Sequence, residues 1–217
     1  MSEAVVTRWW WIRHAPVPGQ GGRIYGQTDV PADTSDSAAF QAIATALPGQ
    51  AVWVTSHLRR TRQTAEAIAA ALNQSGVAVP EPLAEPDLAE QNFGAWQGLS
   101  HREIAALRGG ARHRFWLAPA DQAPPEGESF THLIERVSAA IRRLVEAHTG
   151  RDIIAVAHGG SIRAALAVAL DLNPEAALAI EVEHLSLTRI DHIDGPGAGN
   201  AWRIGAVNLP LGNQPRS

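Results

Sequence analysis

Three apolar runs in this chain stop abruptly at residues suited to hold an anion, and this constrains the fold more than any other feature. Val5–Ile12 (VVTRWWWI) ends at Arg13-His14, with Ala15-Pro16 closing it. Ala51–Thr55 (AVWVT) ends at Ser56-His-Leu-Arg-Arg60. Asp152–Ala157 (DIIAVA) ends at His158-Gly159-Gly160. Short apolar runs separated by helical patterns read as strands of an α/β fold with a mostly parallel sheet. In such sheets, sites form beyond the carboxyl ends of the strands. Each polar ending is therefore a candidate part of one site.

The segments between the runs fit helices on both faces of the sheet. Thr61–Leu72 is Ala-rich. Ser129 to His148 repeats apolar residues at Phe130, Leu133, Ile134, Val137, Ile141, Leu144 and Val145, a helical period with Ser129 as N-cap. Ser161–Leu170 reads as a third helix, and Ser100-His-Arg-Glu103 as a capping box opening a fourth. Pro16–Thr34 and Ala118–Glu128 are rich in Pro and Gly and read as loops. Ile180–Ile190 and Trp202–Val207 are expected to complete the sheet, joined by a hairpin at Asp194–Asn200. The expected architecture is a three-layer α/β/α sandwich around a mostly parallel sheet with a small cap insertion. It is one domain over 1–210, with the cap at about 99–128 and a disordered tail at 211–217.

Composition removes several chemistries. There is no cysteine, so disulfides and thiolate nucleophiles are excluded. All 18 basic residues are Arg, which excludes a Schiff-base lysine and leaves Arg, His and backbone N–H groups to hold a phosphate. A net charge of −4 argues against a nucleic-acid partner. No apolar run has membrane length and no basic leader precedes the first one, so a cytoplasmic protein without membrane contact is expected. The nine histidines show no His-Glu-x-x-His spacing, and neither a metal nor a cofactor is expected. His57, His132, His148, His184 and His192 read as surface or packing residues. Trp9-Trp10-Trp11 reads as filler for both faces of a buried strand.

Four segments carry chemistry. In Arg13-His14 the imidazole offers a nitrogen nucleophile and the guanidinium a fixed charge with a planar fork for phosphate oxygens. Arg59, Arg60 and Arg62 open a helix after a strand, a place that favours an anion. They cannot all face the sheet edge, and the residues alone do not choose among them. Glu90 precedes Phe93-Gly94-Ala-Trp96-Gln-Gly98, an aromatic-packed turn that suits a general acid. His158-Gly159-Gly160-Ser161-Ile162-Arg163 lets backbone approach an anion closely, but lacks the Lys spacing of a nucleotide-binding loop. Each segment alone has a structural explanation; together they share one logic.

In order and spacing these segments resemble the histidine phosphatase (phosphoglycerate mutase-like) superfamily. The resemblance rests on Arg13-His14-Ala15, Ser56-x-Leu-x-Arg60-x-x-Gln63-Thr64-Ala65, Leu88-x-Glu90-x-x-Phe93-Gly94-x-Trp96-x-Gly98, Pro125-Glu-Gly-Glu128-Ser129 and Ala157-His158-Gly159-Gly160. It implies that His14 is a nucleophile that becomes phosphohistidine. It implies that Arg13, Arg60, His158 and the Gly159 N–H bind the phosphoryl group, and that Glu90 protonates the leaving oxygen and then activates water. It selects Arg60 from the three arginines, and it needs no metal.

The resemblance also implies a branch. Glu90-Gln91-Asn92-Phe93-Gly94 is similar to the phosphatase form, whereas mutases continue Glu-Arg-His-Tyr-Gly. The stretch between Gly98 and Pro125 is short for a water-excluding lid. The Asn that many members carry after the first histidine is missing, because this loop reads Arg-His-Ala-Pro-Val-Pro-Gly. Tyr25-Gly26-Gln27-Thr28-Asp29-Val30-Pro31 looks like the α-ribazole phosphatase subgroup, with Tyr25 and Gly26 placed against the non-phosphate part of the substrate. The reading is a metal-independent phosphomonoesterase acting on a small phosphorylated metabolite, with α-ribazole 5′-phosphate as the leading specific substrate. A phosphoglycerate mutase-type phosphotransferase and a non-catalytic phospho-ligand-binding protein are the alternatives. His101, Arg102, Arg108, Arg112, His113 and Arg114 in the cap are either a docking surface for further substrate charge or an exposed charged helix. Phe115 and Trp116 either line an apolar pocket or pack the cap. An uncovered strand edge admits a homodimer.

Overall fold

A computed structural model describes residues 4–110 and 113–211. The strands are β1 (Val5–Arg13), β2 (Val52–Thr55), β3 (Leu83–Ala84), β4 (Asp152–Ala157), β5 (Ser186–Asp194) and β6 (Trp202–Pro210). The helices are α1 (Ser37–Ala46), α2 (Arg59–Gln74), α3 (His101–Leu107), α4 (Phe130–Ala147), α5 (Gly159–Leu170) and α6 (Pro174–Ala177). The sheet order is β3-β2-β4-β1-β5-β6. Its first four strands are parallel, and β5 and β6 are antiparallel to their neighbours.

Strict alternation of side chains fills both faces. Trp9, Trp11, Val52, Val54, Ile153 and Ala155 pack under α4 and α5. Ile12, Trp53, Ile154 and Val156 pack under α1 and α2 on the other face. Strands buried on both sides read as continuous apolar runs, which is why β1, β2 and β4 are legible in the sequence. The tryptophan run divides between the faces as expected. Trp9 and Trp11 stack at 4.9 Å, while Trp10 packs on the opposite side. A third, smaller cluster joins Phe93, Trp96, Ile104, Leu117 and Ala118 with Ile24 and Trp116, and ties the cap to the loop after β1.

The parallel register sets the site. β4 lies between β1 and β2, with Arg13 opposite Ala157 and Thr55 opposite Val156. The residues that follow these strand ends, His14, His158 and Ser56, are therefore neighbours along one edge. Among the described residues no helix is long and apolar enough to cross a membrane.

Several boundaries differ from the sequence reading. The strand expected from Ile180 starts at Ser186, because Leu185 turns through the left-handed region (φ 58°) after a segment that buries Val182 at the sheet's end. α1 lies in a stretch with no helix expected; Asp36 caps it by accepting from the Ala39 N–H. α5 starts at Gly159 rather than Ser161, and α2 at Arg59 rather than Thr61. The two-residue β3 is too short to show a period. β6 runs to Pro210, past the expected end at Val207, and Leu211, the first residue of the expected tail, packs against the second core, while 212–217 lie outside the described residues.

Candidate active site

His14 sits at the end of β1, where its backbone N–H donates to the Ala157 carbonyl. It is almost wholly buried. Its Nδ1 lies 2.7 Å from the Ala15 carbonyl oxygen. A carbonyl only accepts, so Nδ1 carries the proton and neutral His14 presents an unprotonated Nε2. Burial, and then the charges of Arg13 and Arg60, hold its pKa well below the usual 6.5. The fold thus fixes both the tautomer and the charge state that a nitrogen nucleophile needs.

Arg60, in the first turn of α2, is fully buried. Its Nη1 donates to the Thr28 carbonyl at 3.0 Å, its Nη2 to the Gly26 carbonyl at 2.5 Å, and its Nε to His158 Nδ1 at 3.3 Å. His158 Nε2 in turn lies 2.8 Å from Ser56 Oγ. Because Nδ1 accepts from Arg60, the neutral ring donates from Nε2. Burial, then Arg60, lowers the His158 pKa well below 6.5. Both of its nitrogens are engaged within the protein, and its ring packs 5.2 Å from that of His14. In this geometry His158 orients Arg60 rather than presenting an N–H of its own. Arg59 and Arg62 are exposed, so the turn selects Arg60.

The spacing after Ser56 has a mechanical explanation. Thr64 Oγ1 accepts from the Ala15 N–H, and Gln63 Oε1 accepts from the Ala32 N–H. Asp29 Oδ1 accepts from the Arg59 N–H, which satisfies an orphan donor at the start of α2. The Tyr25–Pro31 stretch is thus a brace: its carbonyls hold Arg60 and its aspartate caps α2.

Arg13 Nη1 donates to the Val182 carbonyl at 2.6 Å, while its buried Nε has no partner among the described residues. Glu90 faces the start of α5, where its Oε1 accepts from the Gly160 N–H at 3.1 Å and from the Gln91 N–H at 2.9 Å. A Cβ at Gly160 would collide with Glu90 Oε1, so glycine is what lets the carboxylate come this close to the start of α5. Tyr25 lies 6.3 Å from the His14 ring, with the Arg60 guanidinium 4.9 Å over its own ring. Burial raises the Tyr25 pKa.

A cavity of about 280 Å³ opens beside these groups. Its lining combines polar residues, Arg13, Tyr25, Glu90 and Arg163 among them, with apolar Phe93, Phe115, Trp116 and Leu117. All eight site residues expected from sequence, His14, Glu90, His158, Arg13, Arg60, Tyr25, Gly26 and Gly159, are gathered at this end of the sheet.

Three contributors were not assigned from the sequence. His184, read as a surface or packing residue, stands 5.0 Å from the His14 ring, and its Nδ1–H donates to the His14 carbonyl. Burial, then Arg13, lowers its pKa to about 4. Arg136 grips Glu128 with two bonds and donates to the carbonyls of Asp87, Ala89 and Glu90, fixing the acid's backbone. Arg163 enters the cavity from α5. His184 and Arg136 come from distant segments, and no local pattern marks them.

In the cap, Phe115 and Trp116 line the cavity, and Trp116 also donates from Nε1 to Gln91 Oε1. Arg108 braces the cap through the Leu117 carbonyl and Gln122. His113 pairs with Glu175. Arg102 and Arg114 are exposed, and Arg112 lies outside the described residues. His101 reaches the cavity rim. The basic cluster is thus mostly scaffold and surface.

Residues 9–205, nearly the whole of this geometry, match the histidine phosphatase superfamily (branch 1). The chain belongs to that superfamily. It is 32% identical over 217 residues to a glucosyl-3-phosphoglycerate phosphatase of Mycolicibacterium vanbaalenii, covering 91% of this chain and 92% of the relative. It spans 36% of the length of three mycobacterial relatives that it matches at 34% identity over 140 residues, 64% of this chain. Among solved structures, a mycobacterial glucosyl-3-phosphoglycerate phosphatase superposes with a TM-score of 0.76 at 28% identity, covering 95% of this chain and 100% of the other. A putative α-ribazole-5′-P phosphatase of Escherichia coli superposes at 0.74 with 24% identity, covering 96% and 99%, a likeness of fold.

Proposed function

We propose that this histidine phosphatase relative is a metal-independent phosphomonoesterase that works through a phosphohistidine on His14. The observation that carries the reading is the hydrogen bond from His14 Nδ1 to the Ala15 carbonyl, which leaves Nε2 as a lone-pair nucleophile beside two guanidiniums. Nε2 attacks phosphorus and the ester oxygen leaves with a proton from Glu90. Water, deprotonated by Glu90, then attacks the phosphohistidine and releases phosphate. Arg13 and Arg60 stabilise the equatorial oxygens throughout, with charge already in place before the reaction. His158 holds Arg60, and Gly159 lets its N–H approach the phosphoryl group.

Hydrolysis is favoured over phosphotransfer by the short span between Gly98 and Pro125, which limits how far water can be excluded. The substrate is a small phosphorylated metabolite whose alcohol part fits the cap-side cavity. Support for α-ribazole 5′-phosphate is reduced by the bracing role of Tyr25–Pro31, and rests on Tyr25 and Gly26 lining that cavity. Glucosyl-3-phosphoglycerate joins the substrate panel through the mycolicibacterial relative.

The test is p-nitrophenyl phosphate hydrolysis in EDTA by wild type and His14→Ala. The expected result is turnover by wild type that is unaffected by EDTA and lost in the variant. A strict Mg²⁺ requirement, or full activity in His14→Ala, would overturn the reading.

A further inference from the structure

The turn that leads into β5 holds both residues of the Arg13-His14 pair. Leu185 stands there in the left-handed region (φ 58°), where a bulky side chain is strained. The surroundings keep it so. Val182 is buried in the first core and Leu185 in the second, so Glu183 and His184 between them are anchored from both faces of the sheet. The Ser186 N–H and hydroxyl both donate to the Glu183 carbonyl, at 3.2 and 2.7 Å. Asn208 Oδ1, on β6, accepts from the Glu183 N–H at 2.7 Å. Backbone strain maintained in this way concentrates where geometry serves function.

This segment makes three hydrogen bonds with two consecutive residues of the site. The Val182 carbonyl accepts from Arg13 Nη1 at 2.6 Å, the Leu185 N–H donates to the Arg13 carbonyl at 3.0 Å, and His184 Nδ1–H donates to the His14 carbonyl at 2.8 Å. The His184 ring also packs on the His14 ring, with centroids 5.0 Å apart and planes at 59°. The His158 ring meets His14 at 5.2 Å and 60°. The bond from His14 Nδ1 to the Ala15 carbonyl decides which nitrogen is free. The two neighbouring rings and the held carbonyl decide where that nitrogen points.

We propose that His184 is a positioning residue for the nucleophile. It fixes the His14 backbone through the carbonyl and limits the swing of the imidazole through the ring contact, so that Nε2 stays on the line of attack at phosphorus. His184 acts through His14 and takes no part in the bond changes. Burial and Arg13 lower its pKa to about 4, so near neutrality it adds no charge beside the nucleophile. The assignment rests on the phosphatase reading for the identity of that nucleophile. A misplacement of about 1 Å at a reacting atom costs as much as about 10²-fold in rate, which sets the scale of the expected effect.

The test compares wild type with His184→Ala, which removes ring and donor, and His184→Asn, whose amide nitrogen takes the place of Nδ1. Turnover of p-nitrophenyl phosphate in EDTA and affinity for inorganic phosphate are measured on all three. In His184→Ala, kcat should fall about 10- to 100-fold while phosphate affinity stays within about two-fold. His184→Asn should recover most of the lost kcat. If His184→Ala does not fold, His184→Phe, which keeps a ring without the donor, replaces it. An unchanged kcat, or a loss matched by an equal loss of phosphate affinity, would overturn the assignment. A second readout needs no phosphatase activity. Phosphoramidate passes its phosphoryl group to a histidine nitrogen as its P–N bond breaks and ammonia leaves. Labelling of His14, followed by mass spectrometry, should slow in His184→Ala by the same factor as kcat. Slower labelling in the variant, with no ester turnover by wild type, would leave the positioning role standing and reject the phosphatase. Equal labelling with equal turnover would do the reverse. No labelling of His14 in wild type would overturn the positioning role.

Discussion

The two sides of the cleft are built by different rules. The floor is made of residues one step beyond buried parallel strands: His14, Ser56 and His158. Their polar atoms, with those of Arg60, are held by backbone carbonyls or by one another at 2.5–3.3 Å. The wall is made of loops and the cap: Arg23, half-exposed, and Phe115, 55% exposed, held by a small separate cluster. A floor of this kind presents its charges without reorganisation, which suits the chemistry common to all substrates. A wall with few deep contacts can change with little effect on the fold, which suits selection among esters.

Variants should show this difference, with floor changes acting on the chemical step and wall changes on affinity. The largest effect is expected for Glu90→Gln. Turnover of an alkyl phosphate should fall about 10²- to 10³-fold, with a much smaller loss on p-nitrophenyl phosphate, whose leaving group needs little protonation. Steady-state kinetics on both esters check this, and equal losses would remove Glu90 from the acid role. Arg136→Ala comes next. It removes both bonds to Glu128, which keeps the Asn92 N–H, and the donor to the carbonyls of Asp87 and Ala89, while the Glu90 carbonyl keeps Gln27; it should lower stability by about 3 kcal/mol and kcat together. Denaturant melts beside kinetics would show whether support and chemistry fall in step.

The floor was legible in the sequence and its supports were not. Arg13-His14 and His158-Gly159-Gly160 stand out because doubly buried strands leave a sharp boundary between apolar and polar residues. Arg60 could not be chosen from Arg59 and Arg62 by composition. The choice is made by Gly26 and Thr28, carbonyls from a loop more than thirty residues away in the chain. His184 and Arg136 escaped notice for the same reason, since each acts on a backbone atom contributed by a remote segment. The short β3 and the displaced start of β5 reflect tertiary packing that overrides a local alternation.

A smaller effect is expected in the pH dependence of stability. His14, His158 and His184 all have folded pKa values below the ordinary 6.5, with His184 at about 4. The unfolded chain therefore binds protons that the folded chain refuses, and stability falls as pH drops below about 6.5. Each group contributes up to about 1.4 kcal/mol per pH unit, and nothing above the unfolded value. Thermal melts should be flat above pH 7 and fall between pH 6.5 and 4, with a shallower slope in His184→Gln. An unchanged slope would mean that the histidine cluster is not the source. The smallest effect belongs to the wall. Phe115→Ala should raise KM by less than about ten-fold and barely move kcat. A large loss of kcat there would erase the distinction between floor and wall.

The central claim is that His14 carries the phosphoryl group. It is tested most directly by quenching the enzyme during turnover of p-nitrophenyl phosphate in EDTA, under alkaline conditions that preserve phosphohistidine, and mapping phosphorylated peptides by mass spectrometry. The account predicts one phosphoryl group on the peptide containing His14, absent from His14→Ala. Turnover with no phosphohistidine, or with the phosphoryl group on another residue, would contradict it.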